Sequence, residues 1–372
     1  MPRRTKRWQN KFHPVLQQIE RQADAMTARG EEPRKHHIVP RFYLDRWTEN
    51  GKLRATDLDS KQTFTQSAEN AARRTDFYRL EDGTYKWGSP VWFESMLSVL
   101  EGRVAAPTDA LANGTARLED LRADQLVEIL WFISLQLTRG MNFRRGLLWT
   151  LVQEHLIKYE FSGDDSLRQL LADGGYEVSE ENVARMRSQL DEMRTDPEKF
   201  PMLTTLKIKQ TAEAAEAMFP YLADRLPVIY RTPRRLVTCD EPVVMLDEDM
   251  GSTGGDFGVA NAPIVVYPLS PDRVLALFLS DFRMMLRDDE MLTHDELLGL
   301  NQSILGNAYL HGFEKPSMSL TTRLYVPPLP PAGERVVVSR KSTGEEIHKF
   351  TPGRRWRAQP QAPSKPVARW WP

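Results

Sequence analysis

Apolar and polar positions along the chain change their spacing twice, and each change predicts a different kind of element. From Ser89 onward, Phe93, Leu97, Leu100 and Val104 recur at the spacing of one helical stripe. Ser89-Pro90 is a helix start and Gly114 follows the last apolar residue, Leu111, so a helix is predicted between them. A second helical stretch is predicted over 122–161, broken near Gly140. Between Ile129 and Thr138 it carries no charge, so most of its circumference is expected to be buried. A charged surface helix is predicted over 179–200 and an amphipathic one over 206–224. The capping box Thr293-x-x-Glu296 opens another that runs to about His311.

The flanking segments read differently. Residues 1–33 form a basic arm with a short polar helix, closed by Pro33. Residues 40–47 form a short helix with Pro40 in its first turn. Alternation over 52–66 predicts two strands around a turn at Asp59-Ser60, and Asp82-Gly83 marks a hairpin within 77–87. After Pro227 the pattern becomes a set of short apolar runs, "VIYR", "RLVTC", "PVVML", "PIVVYPL" and "RVLALFL". They predict an antiparallel sheet over 228–280, interrupted by a glycine-rich loop at 250–258. From 351 the chain is rich in proline and arginine and is expected to be disordered. The predicted fold class is therefore α+β: a mainly helical core, a small N-terminal β-hairpin region and an antiparallel β-sheet in the C-terminal half. The predicted organisation is an arm (1–33), one domain (34–350) and a tail (351–372).

Composition supports a buried core, with 41% hydrophobic and 27% charged residues among 372. The single cysteine, Cys239, rules out an internal disulfide and points to a reducing, cytoplasmic compartment. Lying inside an apolar run, it is expected to be a buried, inert thiol. The first apolar run begins at Ile38, so the basic start is not read as a secretory signal. No segment approaches the ~20 apolar residues that span a bilayer, and no membrane partner is expected. The net charge of −1 hides an asymmetry. Residues 1–11 and 354–372 each carry five basic groups and no acid, so removing those ten positive charges leaves about −11 on the remainder. Basic termini on an acidic body suit nucleic acid as a partner, or are solvated tails.

Common catalytic signatures are missing. There is no Gly-x-Ser-x-Gly, Cys-x-x-Cys or His-Glu-x-x-His, and no lysine follows the glycines of 250–258 as a phosphate loop requires. The candidates are scattered. His36-His37 opens "HHIVP", which is similar to the start of the His-Asn-His nuclease motif. That motif needs an asparagine and a second histidine soon afterwards; Asn50 is the first candidate and no histidine occurs before His155. His37 is either a metal-binding or proton-moving group, or it caps the following helix or bonds a backbone carbonyl. Glu94 and Glu101, seven apart, share one side of the Phe93 stripe. Gln136 and Arg139 share a face of the uncharged helix. A guanidinium there needs an anion, and Glu101 is the internal partner named for it, with a ligand anion as the alternative. Asp240 ends a strand before Pro242 and either faces a cleft or bonds its own turn. Asn301 faces the apolar side of its helix, where it is structural or faces a ligand.

In sequence order, "HHIVPRFYL", "DFY" at 76–78, "LSVLEGRVA" at 97–105, "ISLQLTRG" at 133–140, "VTCDEPVV" at 237–244, "YPLSPDRVL" at 267–275 and "LN" at 300–301 resemble the domain of unknown function 4238 family. The resemblance covers roughly 34–315 and leaves the tails outside. It implies a mostly bacterial, intracellular protein in which His37, Pro40, Tyr43, Glu101, Gln136, Arg139, Asp240, Pro242 and Asn301 hold the family's motif positions. Cys239 stands where the family usually has serine, which puts any role of that hydroxyl in doubt. Six polar residues drawn from distant segments suggest a shared polar pocket. The expectation is a hydrolase, metal-assisted through a divalent ion and directed at a nuclease- or nucleotide-type substrate. In it His37 is base or ligand, Glu101 and Asp240 are carboxylates, Arg139 clamps an anion, and Gln136 and Asn301 position the substrate. His36 is expected to point elsewhere. The alternative is a non-enzymatic binding or scaffold protein in which the same residues form a structural network.

Overall fold

The uncharged run of the chain forms the centre of the helical half. The computed structural model describes residues 3–29, 35–75, 77–78, 92–173, 175–190, 192, 201–233, 235–250, 258–280, 288–340 and 346–371. In it, α4 (Ala123–Arg139) is buried at every position from Ile129 to Gln136. Four helices pack on it: α1 (Arg3–Thr27), α3 (Trp92–Asn113), α5 (Met141–Ser162) and α8 (Pro201–Ala223). Ser134, a polar residue in this apolar setting, donates its hydroxyl to the Ala215 carbonyl of α8 at 2.6 Å, which satisfies it. Shorter helices complete the helical part: α2 (Arg41–Leu44), α6 (Asp164–Asp173), α7 (Glu180–Ser188), α9 (His294–Asn307) and α10 (Leu320–Arg323).

Gly140 separates α4 from α5 as predicted, for a reason that involves a distant segment. Glu241 accepts from the Asn142 backbone N–H at 2.7 Å and so caps the start of α5. A Cβ on Gly140 would lie 1.7 Å from the Glu241 carboxylate. Only glycine admits that approach.

The fold class is α+β. Strands β5 (Leu226–Arg231), β9 (Arg273–Phe278), β8 (Ile264–Ser270) and β7 (Val244–Leu246) form an antiparallel sheet in that order. A second sheet has the order β3 (Thr63–Gln66), β2 (Leu53–Asp57), β10 (His311–Glu314) and β6 (Thr238–Cys239). Two ribbons pair β1 (Lys35–His37) with β4 (Arg73–Thr75), and β11 (Gly333–Arg340) with β12 (Glu346–Pro352).

Several expectations need correction. The "RLVTC" run leaves the predicted 228–280 sheet and joins β10 instead. Asp240, directly after β6, binds the backbone N–H groups of Tyr309, Leu310 and His311. That anchor draws β6 against the segment at 311–314. The N-terminal helix is long, not short. Val15, Ile19 and Ala23 form a buried stripe at four-residue spacing, and Asp24 accepts the Trp92 indole N–H at 2.9 Å.

The tail from 351 is packed, not disordered. Trp356, Val367, Trp370 and Trp371 are buried, and Trp370 meets Tyr230 and Phe278. Arg355 is buried with four oxygen partners: the carbonyls of Ala308, Pro327 and Tyr309, and the Asp59 carboxylate. Each tryptophan brings on the order of 200 Å² of apolar surface, which outweighs the solubility of the prolines and arginines around them. The predicted hairpin at 77–87 and the loop at 250–258 lie almost wholly outside the described residues, as do residues 193–200 of the predicted charged helix.

Candidate functional site

The face shared by α3 and α4 carries a polar centre within an apolar core. Arg139, at the end of α4, is fully buried and donates Nη1 to Glu101 Oε1 of α3 at 2.7 Å. Its Nε and Nη2 are buried with no acceptor. Burial pushes the Glu101 carboxyl up and the Arg139 guanidinium opposes that push. The pair keeps an opening, since the Glu101 side chain remains 23% exposed.

Glu94 lies two helical turns before Glu101 on the same helix. It lacks a bonded cation, and its Oε2 is buried without a partner. Burial, followed by the nearby Glu101 charge, raises its pKa to about 8, against the opposing pull of Arg139. At neutral pH Glu94 is therefore a neutral acid near the Glu101–Arg139 pair. Burial likewise raises Tyr78 to about 12, with Arg139 and Arg144 pulling the other way. The Tyr78 hydroxyl has no hydrogen-bond partner among the described residues. Gln136, one turn before Arg139 on α4, is buried with its Oε1 unbonded.

The two histidines exchange the parts expected of them. His36 is the buried one. Its ring stacks on Tyr78 at 5.4 Å, and its Nδ1 accepts the Tyr78 backbone N–H at 2.8 Å. That bond leaves the ring proton on Nε2. His37, one position along β1, is only half-buried, and its Nε2 meets the Glu69 carbonyl at 2.9 Å. Strand alternation explains the exchange, because neighbours on β1 point to opposite faces. Burial lowers the His37 pKa, helped by Arg73 and Arg139, against the raising effect of its Glu69 bond. Arg144 of α5 adds a second cation, stacked 3.9 Å from the Phe77 ring centre and 4.6 Å from that of Tyr78.

Asp240 and Asn301 serve elsewhere. Both Asp240 oxygens accept backbone N–H groups of residues 309–311 at 2.8–2.9 Å. Asn301 accepts from the Val237 N–H at 3.0 Å and donates to the Arg235 carbonyl at 2.9 Å. Those bonds tie α9 to the approach of β6. The sequence-derived set thus divides. Glu101 and Arg139 meet directly, Gln136 shares their helix face, and His37 feels the Arg139 charge from β1. Asp240 and Asn301 hold backbone. Sequence reasoning did not select Glu94, His36 or Tyr78. The placement of Glu94 seven residues before Glu101 was the one available signal.

Cys239 is fully buried, and burial pushes its thiol well up. Among the described residues no group of three or more His, Cys, Asp or Glu side chains is placed to hold a metal ion. Among them, too, no helix is long and apolar enough to cross a membrane.

The fold and this centre define a class: an α+β protein with an acid–base cluster between two core helices. The chain belongs to the family described as protein of unknown function (DUF4238), whose model matches residues 35–317. That range includes every residue of the centre, whereas α1 and the packed tail lie outside it. No curated protein and no solved structure matches the chain.

Proposed function

We propose that this protein is a cytoplasmic hydrolase acting on a phosphate-bearing substrate, a nucleotide or nucleic acid. Its acid–base centre in this reading is formed by Glu94, Glu101 and Arg139. The observation that carries the reading is the contrast between two carboxyls on one helix: Glu94, protonated at neutral pH and with a buried oxygen left unbonded, and Glu101, bonded to the Arg139 guanidinium. Environments that separate the pKa values of paired carboxyls assign acid and base roles.

Seven helical residues span about 10.5 Å of rise, so the two carboxyls stand on one helix two turns apart. In the reaction, the Glu101 carboxylate takes a proton as water adds to phosphorus. The bond to the leaving oxygen breaks, and Glu94 supplies that oxygen with a proton. The unfilled Nε and Nη2 donors of Arg139 hold the oxygens on which charge gathers. With Glu94 neutral, Arg139, Arg144 and Glu101 together carry one net positive charge, which favours an anionic substrate. No metal is needed for this acid–base step. The buried lone thiol of Cys239 supports a reducing compartment.

The binding or scaffold reading is favoured by a different observation: Asp240 and Asn301 have all their visible hydrogen bonds committed to backbone. One experiment separates the two. The purified chain is assayed on nucleotide and generic phosphate esters beside Glu94→Gln, with melting temperatures measured for both. Hydrolysis lost in a Glu94→Gln protein of undiminished stability supports the enzyme. Activity equal in the two proteins overturns the assigned centre.

A further inference from the structure

A second polar site lies against the same ribbon that carries the histidines, where Arg73 and Arg74 pair with His37 and His36. Strands β1 and β4 supply one wall of a surface cleft of about 410 Å³, through Ile38, Arg73, Arg74 and Thr75. Strand β3 and the start of β10 supply the rest, chiefly through Phe64, Gln66 and His311. His36, on β1, stacks on Tyr78 of the buried centre, so one two-stranded ribbon touches both places.

The cleft combines two chemistries. Arg74 is exposed and makes no ion pair among the described residues. Arg73 has a buried Nε with no acceptor, while its Nη1 is 3.7 Å from Glu69. Asp240 also lines the cleft, but its charge is spread over three backbone N–H donors. The positive charge of Arg74 is thus left available for a ligand anion. The second chemistry is aromatic. Phe64 is 43% exposed, and its ring is met edge-on by His311 at 5.7 Å. Phe64 and Gln66 are two apart on β3 and share a face, so an amide lies beside the exposed ring.

We infer that this cleft binds a nucleotide unit, with the exposed Arg74 on the phosphate and the Phe64 ring under the base. A flat ring next to an exposed guanidinium is the arrangement that holds bases and backbone together without sequence preference, and the volume falls within the usual range for small-molecule sites. The inference deepens the hydrolase reading by naming the group that its substrate carries. It rests on that reading for turnover and not for binding. The same chemistry is presented by a free mononucleotide and by one unit of a single strand.

The test is equilibrium binding by the full chain of four probes: a fluorescent 5′-mononucleotide, the matching nucleoside, inorganic phosphate and a labelled oligothymidylate. The mononucleotide is expected to bind at least tenfold tighter than nucleoside or phosphate. Phe64→Ala is expected to weaken it by about tenfold, and Arg74→Ala to remove most of the advantage over the nucleoside. Both side chains are exposed, so both variants should fold, as a melting curve verifies. Tighter binding of the oligothymidylate with a steep salt dependence assigns the source as a single strand; equal or weaker binding assigns it as the free nucleotide. Binding unaffected by Phe64→Ala and Arg74→Ala, or an acidic peptide that competes as well as the nucleotide, overturns the inference. Mononucleotide binding by the parent chain without any hydrolysis counts against the enzyme reading alone.

Discussion

Arg139 places Nη1 2.7 Å from Oε1 of Glu101 and leaves Nε and Nη2 buried with nothing to donate to. A guanidinium used only to hold two helices together would be expected to fill its donors, because an unmet buried donor is costly. Here one edge secures Glu101 and the remainder of the fork stays open beside a protonated Glu94. The pair therefore joins α3 to α4 and also offers free donors.

Cutting the pair should destabilise the fold. Arg139→Met leaves Glu101 without its cation, at a cost of about 3 kcal/mol; the partial exposure of Glu101 keeps the figure at the low end of the range for buried pairs. The double variant Glu101→Gln/Arg139→Met should recover most of the loss. Chemical denaturation of the parent and the two variants measures this, and a single variant as stable as the parent would contradict it.

Glu94 should make stability fall with rising pH. Its folded pKa, about 8, lies above its ordinary value of 4.5. The folded state therefore holds a proton that the unfolded state has released. That stabilisation is complete below about pH 4.5 and is lost progressively up to about pH 8. Melting temperatures of the parent and Glu94→Gln, compared across this window, should diverge in the variant's favour as pH rises. Parallel curves would show that Glu94 titrates normally.

Asp240→Asn should loosen the junction of β6 and β10. The amide keeps one acceptor oxygen where two carboxylate oxygens now receive three backbone donors. Leaving at least one N–H unmet costs about 1–3 kcal/mol. Hydrogen exchange at residues 309–311 should accelerate, and unchanged protection there would remove Asp240 as the anchor.

Gly306→Ala should displace the C-terminal segment. A Cβ at 306 would lie 1.8 Å from Nε1 of Trp356, whose indole donates to the Gln302 carbonyl at 3.2 Å. Overpacking of this kind costs about 1–3 kcal/mol. Limited proteolysis is expected to cut the variant within 353–371 well before the parent. Equal resistance would mean that the tail does not need Trp356 at that spot.

Much of this architecture was readable from local pattern. The α4 burial followed from ten positions without charge, and Glu101 followed as the Arg139 partner because a cation ending such a helix needs an anion. Other features depend on distant residues. Whether His36 or His37 faces inward is set by the pairing of β1 with β4, in which His36 lies opposite Arg74, and no short window contains that register. The Asp240 alternatives could not be resolved because its three donors lie some seventy positions further on. The tail was misread because composition averages its tryptophans with its prolines, whereas packing depends on where Trp356, Trp370 and Trp371 fall. Three of its five cations are also committed internally: Arg355 to Asp59, Lys365 to Glu248, and Arg369 to Glu290 and Glu296. That weakens the case for a C-terminal nucleic-acid arm.

The account stands or falls on the Glu94 proton, which can be observed without any substrate. Carbon-13 NMR of glutamate carboxyls in the labelled full chain, titrated from acid to alkaline pH, reads each group directly. One resonance should titrate near pH 8, vanish in Glu94→Gln and move to lower pH in Glu101→Gln, where the neighbouring charge is gone. If the resonance lost in Glu94→Gln titrates in the ordinary range, at about 4.3, Glu94 is not a neutral acid at physiological pH, and the α3–α4 cluster is a structural network.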